Sequence, residues 1–447
     1  MNGGQSQTGV VVLDGISLFN SSGVQGLTGA VLDFPQSPDL ISEFQVLASN
    51  YDAQYGSAAG VTIENVRSGT DNFHGTAYEF NRNSSFNAKQ WGAAEKSKDI
   101  ENDFGGNFGG PLKLPIFKSR DHRTYFFVNF EGFKITGGVS RQTLSLPSVA
   151  EQHGDFRDWV DSNGDLIPIY DPATTKPNPG YNPSLPISAS NQQYLRNQFM
   201  GCDGNTPNVI CPTDPRLQNS LANGWFKFLP ALTSSGPLNN YLAPATPAFL
   251  GTDAYTFTEK IDEYIGQKDH VSEMFFYKYL PQTNFSTLPV EISNSGTSYK
   301  RTSVLRVSWD HTFNSRIVNH TGFGYQNDKF FGGGVDGNSA DAVPQIPGVA
   351  SHEYPPVIQF NGVFSQFGTG QDDPNIQPWL APAYLANDIV SLTLGKHTVS
   401  FGGDLRFSEN SPTFLTNQSG TFNFAATETG IQGVNSGSRL PAFSWNK

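Results

Sequence analysis

Segments of about ten residues that alternate apolar and polar side chains recur along most of this chain. In RTYFFVNFEGFK (123–134), Phe126, Val128 and Phe130 fall on one side of an extended strand, with Asn129 and Glu131 on the other. In NDFGGNFGGPLKL (102–114), Phe104, Phe108 and Leu112 share a side with Gly106 and Gly110, opposite Asp103, Gly105, Asn107 and Gly109. HVSEMFFYKYL, SVLRVSWDHTF and SRIVNHTGFGYQND repeat the habit, with Leu305, Val307 and Trp309 as one apolar set. In SLTLGKHTVSFGGDLRF, Gly395-Lys396 separates two strands as a two-residue hairpin does. The pattern predicts about ten strands. Two long polar connections, near 146–251 and 332–382, interrupt them. Connections of that length are unusual in compact soluble domains.

The first 67 residues have a different texture. VVVLDGI (10–16) reads as a short buried strand ending in an Asp-Gly turn. The run from Ile41 alternates at Glu43 and Gln45 against Phe44 and Val46, breaks at Tyr55-Gly56 and resumes at Val61, Ile63 and Asn65. VRSGTDNFHGTAYEF (66–80) then passes from a polar turn into a strand with His74, Thr76, Tyr78 and Phe80 on one side. Gly75, Ala77 and Glu79 lie on the other.

An alternating strand fits two architectures. In a soluble sandwich the apolar face packs inward. In a transmembrane barrel it meets lipid, and the inner face is polar or small. Three features favour the barrel. The segments approach the ~9–11 residues that cross a bilayer at a tilt. Aromatics gather near strand ends, at Tyr78, Phe80, Tyr277, Tyr279 and Tyr325. Short hairpins alternate with very long loops.

Composition agrees. Charged residues make up only 15% of 447 residues, while Gly (46) and Phe (35) are abundant, as in strands joined by turns. A net charge of −12 excludes a nucleic-acid partner, which would favour a basic face. No apolar run reaches the length of a membrane helix. The opening MNGGQSQTGVVVLDG lacks the basic and apolar regions of a signal peptide. The two cysteines, Cys202 and Cys211, lie close together in turn-rich GCDGNTPNVIC. That spacing suits a small loop disulfide in an oxidising compartment, against the alternative of two free thiols.

The search for chemistry yields no catalytic residue, cofactor or metal. In VDSNGDLIPIYDP, Asp161, Asn163 and Asp165 alternate as in a calcium loop. However, Gly164 holds the fourth place instead of the sixth and Pro172 stands where a glutamate belongs, so a hairpin turn at Asn163-Gly164 is the better reading. In FGGNFGGPL the last glycine is followed by Pro111 instead of the Lys-Ser/Thr pair that opens a helix, which excludes a phosphate loop. His74 and His397 flank turns at strand starts, where capping suits them better than catalysis.

Taken in order, several stretches closely resemble the Oar-like branch of TonB-dependent outer-membrane receptors. They are LDGI, ISEFQVLASNYDAQYGSAAGVTIENVRSGTDNFHGTAYEFNRN, NDFGGNFGGPL, RTYFFVNFEGF, GDFRDW with IYDPATT, FTEKIDEYIGQKDHVSEMFFY and LGKHTVSFGGDLRF. The resemblance implies an all-β chain in which a partial plug domain precedes an incomplete antiparallel transmembrane barrel, the whole barrel having about 22 strands. By it, residues 1–70 are the second half of the plug and 71–447 the first portion of the barrel. The plug-to-barrel junction is then Arg67, Ser68, Gly69, Thr70, Asn72, Phe73, His74 and Gly75, with Gly69 supplying backbone freedom. On the first barrel strand Tyr78 and Phe80 would face lipid, and Gly75, Ala77 and Glu79 the lumen. About ten strands cannot close such a barrel without two bare edges in lipid, and no TonB box precedes the plug, so a fragment of a longer receptor is expected.

The resemblance places the chain in the outer membrane of a Gram-negative cell. Its implied partners are outer-membrane lipid, the TonB complex of the intact parent and an unknown extracellular ligand. The implied function is uptake of a large or scarce nutrient. A surface adhesin or glycan-binding scaffold without transport is the alternative, and a soluble β-rich hydrolase the third reading.

Overall fold

The computed structural model describes residues 9–18, 39–47, 60–113, 122–244, 246–247, 254–334, 346–368, 379–409 and 419–433, with interruptions of one to five residues inside those spans. The break expected at Tyr55-Gly56 lies outside the described residues.

Near the amino terminus four short strands form one mixed sheet: β1 (Gly9–Leu13), β2 (Ile16–Leu18), β3 (Ile41–Leu47) and β4 (Gly60–Val66), in the order β2-β1-β4-β3. Asp14 and Gly15 turn the chain from β1 into β2 with φ of 48° and 82°, the two positive values that a tight hairpin turn needs. β1 runs parallel to β4, whereas the outer pairings are antiparallel.

A second, larger sheet follows. Its strands are β5 (His74–Asn83), β6 (Asp99–Pro111), β7 (His122–Gly137), β8 (Ala254–Ile265), β9 (Asp269–Asn284), β10 (Gly296–Asn314), β11 (Ile317–Gly334), β12 (Trp379–Leu394) and β13 (His397–Ser408). Every strand pairs antiparallel with its neighbours in sequence, giving an up-and-down wall. Lengths of 10 to 19 residues are enough to cross a bilayer. The connections sort by length. At one end, Gly266, Gln267 and Lys268, then Ser315 and Arg316, then Gly395 and Lys396 make tight turns. The connection 112–121 also lies at this end, whereas the longest connections, 138–253 and 335–378, lie at the other. No helix among the described residues is long and apolar enough to cross a membrane.

The two faces of the wall decide between the architectures. The face toward the small sheet buries Asn129, Glu131, Thr258, Lys260, Asp262, Lys278, Thr302 and Gln326. The opposite face exposes Phe104, Phe108, Phe130, Val307, Trp309, Phe323, Phe401, Leu405 and Phe407. Glu259 and Glu273 are exceptions on that outward face, set by register beside Phe275 and Ile261. Polar side chains inside and apolar ones outside invert the soluble sandwich, and they fit a wall whose outer face meets lipid.

One facing expectation is overturned. Thr76, Tyr78 and Phe80 stand opposite Asn107, Gly105 and Asp103, and Asn107 and Gly105 in turn oppose the inward Asn129 and Glu131. The aromatic side of β5 therefore faces inward, and Gly75, Ala77 and Glu79 face outward. The reason is steric. Gly105 leaves bare backbone on the inner face, and the Tyr78 ring covers it so closely that a Cβ at Gly105 would lie 2.6 Å from the Tyr78 hydroxyl. Phe73, one residue before the strand, takes the outward side and stacks on Phe108 at 5.8 Å.

The long connections are not merely polar. At the loop end they share an apolar core of Leu146, Trp225, Tyr241, Ala243, Leu288, Ile292 and Phe367, drawn from three separate connections. Two short helices, α1 (Val149–Gln152) and α2 (Ser220–Phe226), belong to this lobe. Val357–Phe360 also pairs in parallel with Thr421–Phe424.

Candidate functional site

The small sheet meets the inner face of the wall across a seam, built first from apolar contact. Leu13, Leu40 and Val66 pack against Phe127, Met274, Phe276 and Val304, all buried, with Val11 and Ile41 at the margin. The alternation that places Phe127 inward puts Phe126 outward, so a single strand serves both lipid and seam.

Beside this apolar patch lies a buried ion pair. The Asp14 side chain is 3% exposed, and its Oδ2 sits 3.0 Å from Lys260 Nζ, itself 10% exposed. Lys260 also donates to the Val66 carbonyl at 3.1 Å, and the Val66 N–H donates to Asp14 Oδ1 at 2.9 Å. The Arg306 guanidinium closes over the same turn, where a Cβ on Gly15 would lie 2.7 Å from its Nη2. The β1–β2 turn thus presents a carboxylate to two wall cations. A buried pair of this kind holds only while both partners are present, because removing one strands a charge away from water.

The expected junction residues occupy the turn end of this seam. The Arg67 N–H donates to the Leu40 carbonyl at 3.0 Å, and its side chain lies 3.7 Å from Asp39. The Ser68 hydroxyl hydrogen-bonds the Asp262 carboxylate. Thr70 Oγ1 donates to the Asn72 carbonyl at 3.0 Å and lies 3.2 Å from His74 Nδ1, which closes a tight local turn. Tyr125 of the wall donates its hydroxyl to Asp71. Gly69 has a different role from the one expected. Its φ lies outside the left-handed region, and a Cβ there would collide with the Phe126 carbonyl and lie 2.8 Å from that of Gly110. The glycine permits close approach of two backbones; it does not supply a turn conformation.

Asp262 opens a chain of alternating acids and imidazoles along the turn end of the inner face. His270 Nε2 is 2.9 Å from Asp262, His270 Nδ1 is 3.4 Å from Asp310, and His320 Nδ1 is 2.6 Å from Asp310. Tyr264 stacks on His270 at 4.3 Å. The register explains the row, since His270 opposes Asp310 and Asp310 opposes His320. Sequence reasoning missed both this row and the Asp14–Lys260 pair. The only local signal was that these acids and histidines occupy the inward parity of their strands.

At the loop end, Cys202 and Cys211 are joined by a disulfide with Cα atoms 4.7 Å apart. Asp161, Asn163 and Asp165 form a tight turn. Asp161 Oδ1 accepts from the Asn163 and Asp165 N–H groups at 2.8 and 2.9 Å, with Gly164 at φ 86°. No group of three or more His, Cys, Asp or Glu among the described residues is placed to hold a metal. Glu151 is the unusual carboxyl here. It accepts from the Ser148 N–H and from Trp159 Nε1, both at 2.6 Å, and burial pushes it up to about 7.

The family of outer membrane beta barrel domains matches residues 65–446. Among solved structures the chain is similar to the siderophore receptor PirA from Acinetobacter baumannii, at 12% identity and a TM-score of 0.35, covering 91% of this chain and 49% of that one. It is likewise similar to a mutant of the ferric enterobactin receptor PfeA from Pseudomonas aeruginosa (11% identity, TM-score 0.35, 90% and 50% covered). A third is the FrpB iron transporter from Neisseria meningitidis (9% identity, TM-score 0.35, 90% and 54% covered). The chain spans about half the length of these structures. No curated protein matches it. With a polar inner face, an apolar outer face and a family match over most of its length, the chain belongs to the outer-membrane β-barrel family and resides in the outer membrane.

Proposed function

We propose that this chain is the plug-bearing part of a TonB-dependent transporter of the Oar-like type, which takes up a large or scarce nutrient across the outer membrane. In this reading residues 1–70 are the second half of the plug and 71–447 the first portion of the barrel. Arg67 to Gly75 form the junction. The observation that carries it is the seam: a small sheet seated on the inner face by a buried Asp14–Lys260 pair and continuous with the wall through one short segment. Among the described residues no strand pairs with the outer edges of β5 and β13, which supports the fragment part of the reading, because lipid offers no hydrogen-bond partner to a bare strand edge. The remaining strands of a barrel of about 22 would pair there.

The loop-end lobe favours a second reading, a surface adhesin or glycan-binding scaffold, since a folded lobe can bind without transport. Deletion of the gene for the full-length protein, followed by complementation, separates the two. Transport expects lost nutrient accumulation that a protonophore reproduces in the wild type. Unchanged accumulation with lost surface attachment would overturn it.

A further inference from the structure

Near the loop end, one lateral row of the wall's outward face runs Gly132, Tyr255, Tyr279, Arg301, Lys329 and Leu380, each opposite the next in register. Arg301 and Lys329 therefore stand directly across from each other, with Cβ atoms roughly 5 Å apart, an arrangement that repels unless an anion joins it. Neither cation has a carboxylate partner among the described residues. Asp328, next in sequence to Lys329, is turned to the inner face, where it accepts from Thr302 at 2.7 Å and from Gln326 at 2.7 Å.

Aromatic rings fix the guanidinium. Its central carbon lies 5.3 Å from the Tyr279 ring centroid and 5.2 Å from that of Tyr299, and the two rings are 6.2 Å apart. Tyr255 continues the layer at 5.4 Å from Tyr279. Tyrosines in such a band sit at headgroup level. The long connections mark this end of the wall as the outer-leaflet end. The chain as a whole carries a charge of −12, so two unneutralised cations on its lipid-facing surface are a local reversal of sign.

We propose that Arg301 and Lys329 bind the phosphate of a phosphorylated glycolipid headgroup in the outer leaflet, with Tyr279 and Tyr299 holding Arg301 in place. A planar guanidinium takes phosphate through two parallel hydrogen bonds, and the lysine adds a point charge beside it. The site depends on the lipid-facing wall and is independent of any transport role.

The test uses the full-length protein, extracted from outer membranes in detergent and stripped of lipid, with three probes: diphosphoryl lipid A, its dephosphorylated form and inorganic phosphate. Bound probe is read by native mass spectrometry, and folding by the mobility difference between heated and unheated samples on a gel. Diphosphoryl lipid A is expected to bind, and removing its phosphates to abolish the complex. Arg301→Gln and Lys329→Gln are each expected to weaken it about five-fold, and the pair roughly twenty-five-fold. Equal binding of the dephosphorylated lipid, displacement by inorganic phosphate, or unchanged binding by the folded double variant would each overturn the proposal. The dephosphorylated probe needs no variant, so the proposal can fail even if the variants do not fold.

Discussion

The seam and the loop-end lobe hold comparable sets of large buried side chains, yet they are fastened differently. In the seam, apolar contact joins two sheets connected through one short segment, and the polar fastening is ionic, with Asp14 against Lys260 and Arg306 above Gly15. In the lobe, asparagine side chains replace ions. Asn240 Nδ2 donates to the Leu146 and Gly236 carbonyls at 2.7 and 3.0 Å while its Oδ1 accepts from the Leu146 N–H at 2.8 Å. Asn208 does the same for Ile167 and Ile169, at 2.6 and 2.9 Å. Such side chains stand in for missing secondary-structure partners and fix one path for an irregular backbone. An ionic seam between separate sheets can part into water, where both charges are solvated again. An amide-stitched lobe loses its hydrogen bonds only by unfolding.

Four predictions sharpen this contrast. Lys260→Met leaves the Asp14 carboxylate buried beside Arg306 alone and is expected to loosen the small sheet by about 3–5 kcal/mol. Hydrogen exchange at 9–18 and 60–66 should accelerate, and adding Asp14→Asn should restore much of the protection. If exchange is unchanged, the seam is not ionic. Trp225→Ala empties the centre of the lobe core and should destabilise it by about 3–4 kcal/mol, read as new protease cleavage within 140–245 while the wall keeps its heat-dependent gel mobility. Loss of the wall as well would mean that the two regions are one cooperative unit. Cys202→Ser opens a loop whose ends are 9 residues apart and should cost about 2–3 kcal/mol, confined to exchange in the lobe. The smallest effect concerns pH. Glu151 lies well above its ordinary 4.5, so its contribution is full at low pH and fades as pH rises through about 7. The lobe should therefore open about 2 kcal/mol more easily at pH 7.5 than at pH 5, and Glu151→Gln should flatten that slope.

The wall was legible because its information is local. Leu305, Val307 and Trp309 announce both a strand and its outward face within five residues. Strand parity alone cannot say which face is outward, however, and at β5 the aromatic side proved to be the inner one. The deciding fact is the pairing of Tyr78 with Gly105, a register set by a neighbouring strand. The seam was less legible still. Asp14 and Lys260 are far apart in sequence, and Asp14 reads simply as half of an Asp-Gly turn. In sequence the lobe reads as polar connection, because Leu146, Trp225, Leu288 and Phe367 are scattered without any period. Only tertiary contact assembles them.

The parallel pairing of β1 with β4 has a mechanical consequence. β4 ends at Val66, immediately before the junction that ties it to the wall, whereas β1 begins at Gly9, at the opposite end of the same parallel pair. Tension between these two points slides one strand along the other. Five facing residue pairs, from Gly9 and Gly60 to Leu13 and Glu64, then bear the load together instead of peeling apart in succession. The small sheet resists a pull in that direction most strongly. A pull on β3, which pairs with β4 alone at the edge of the sheet, meets only that one ladder.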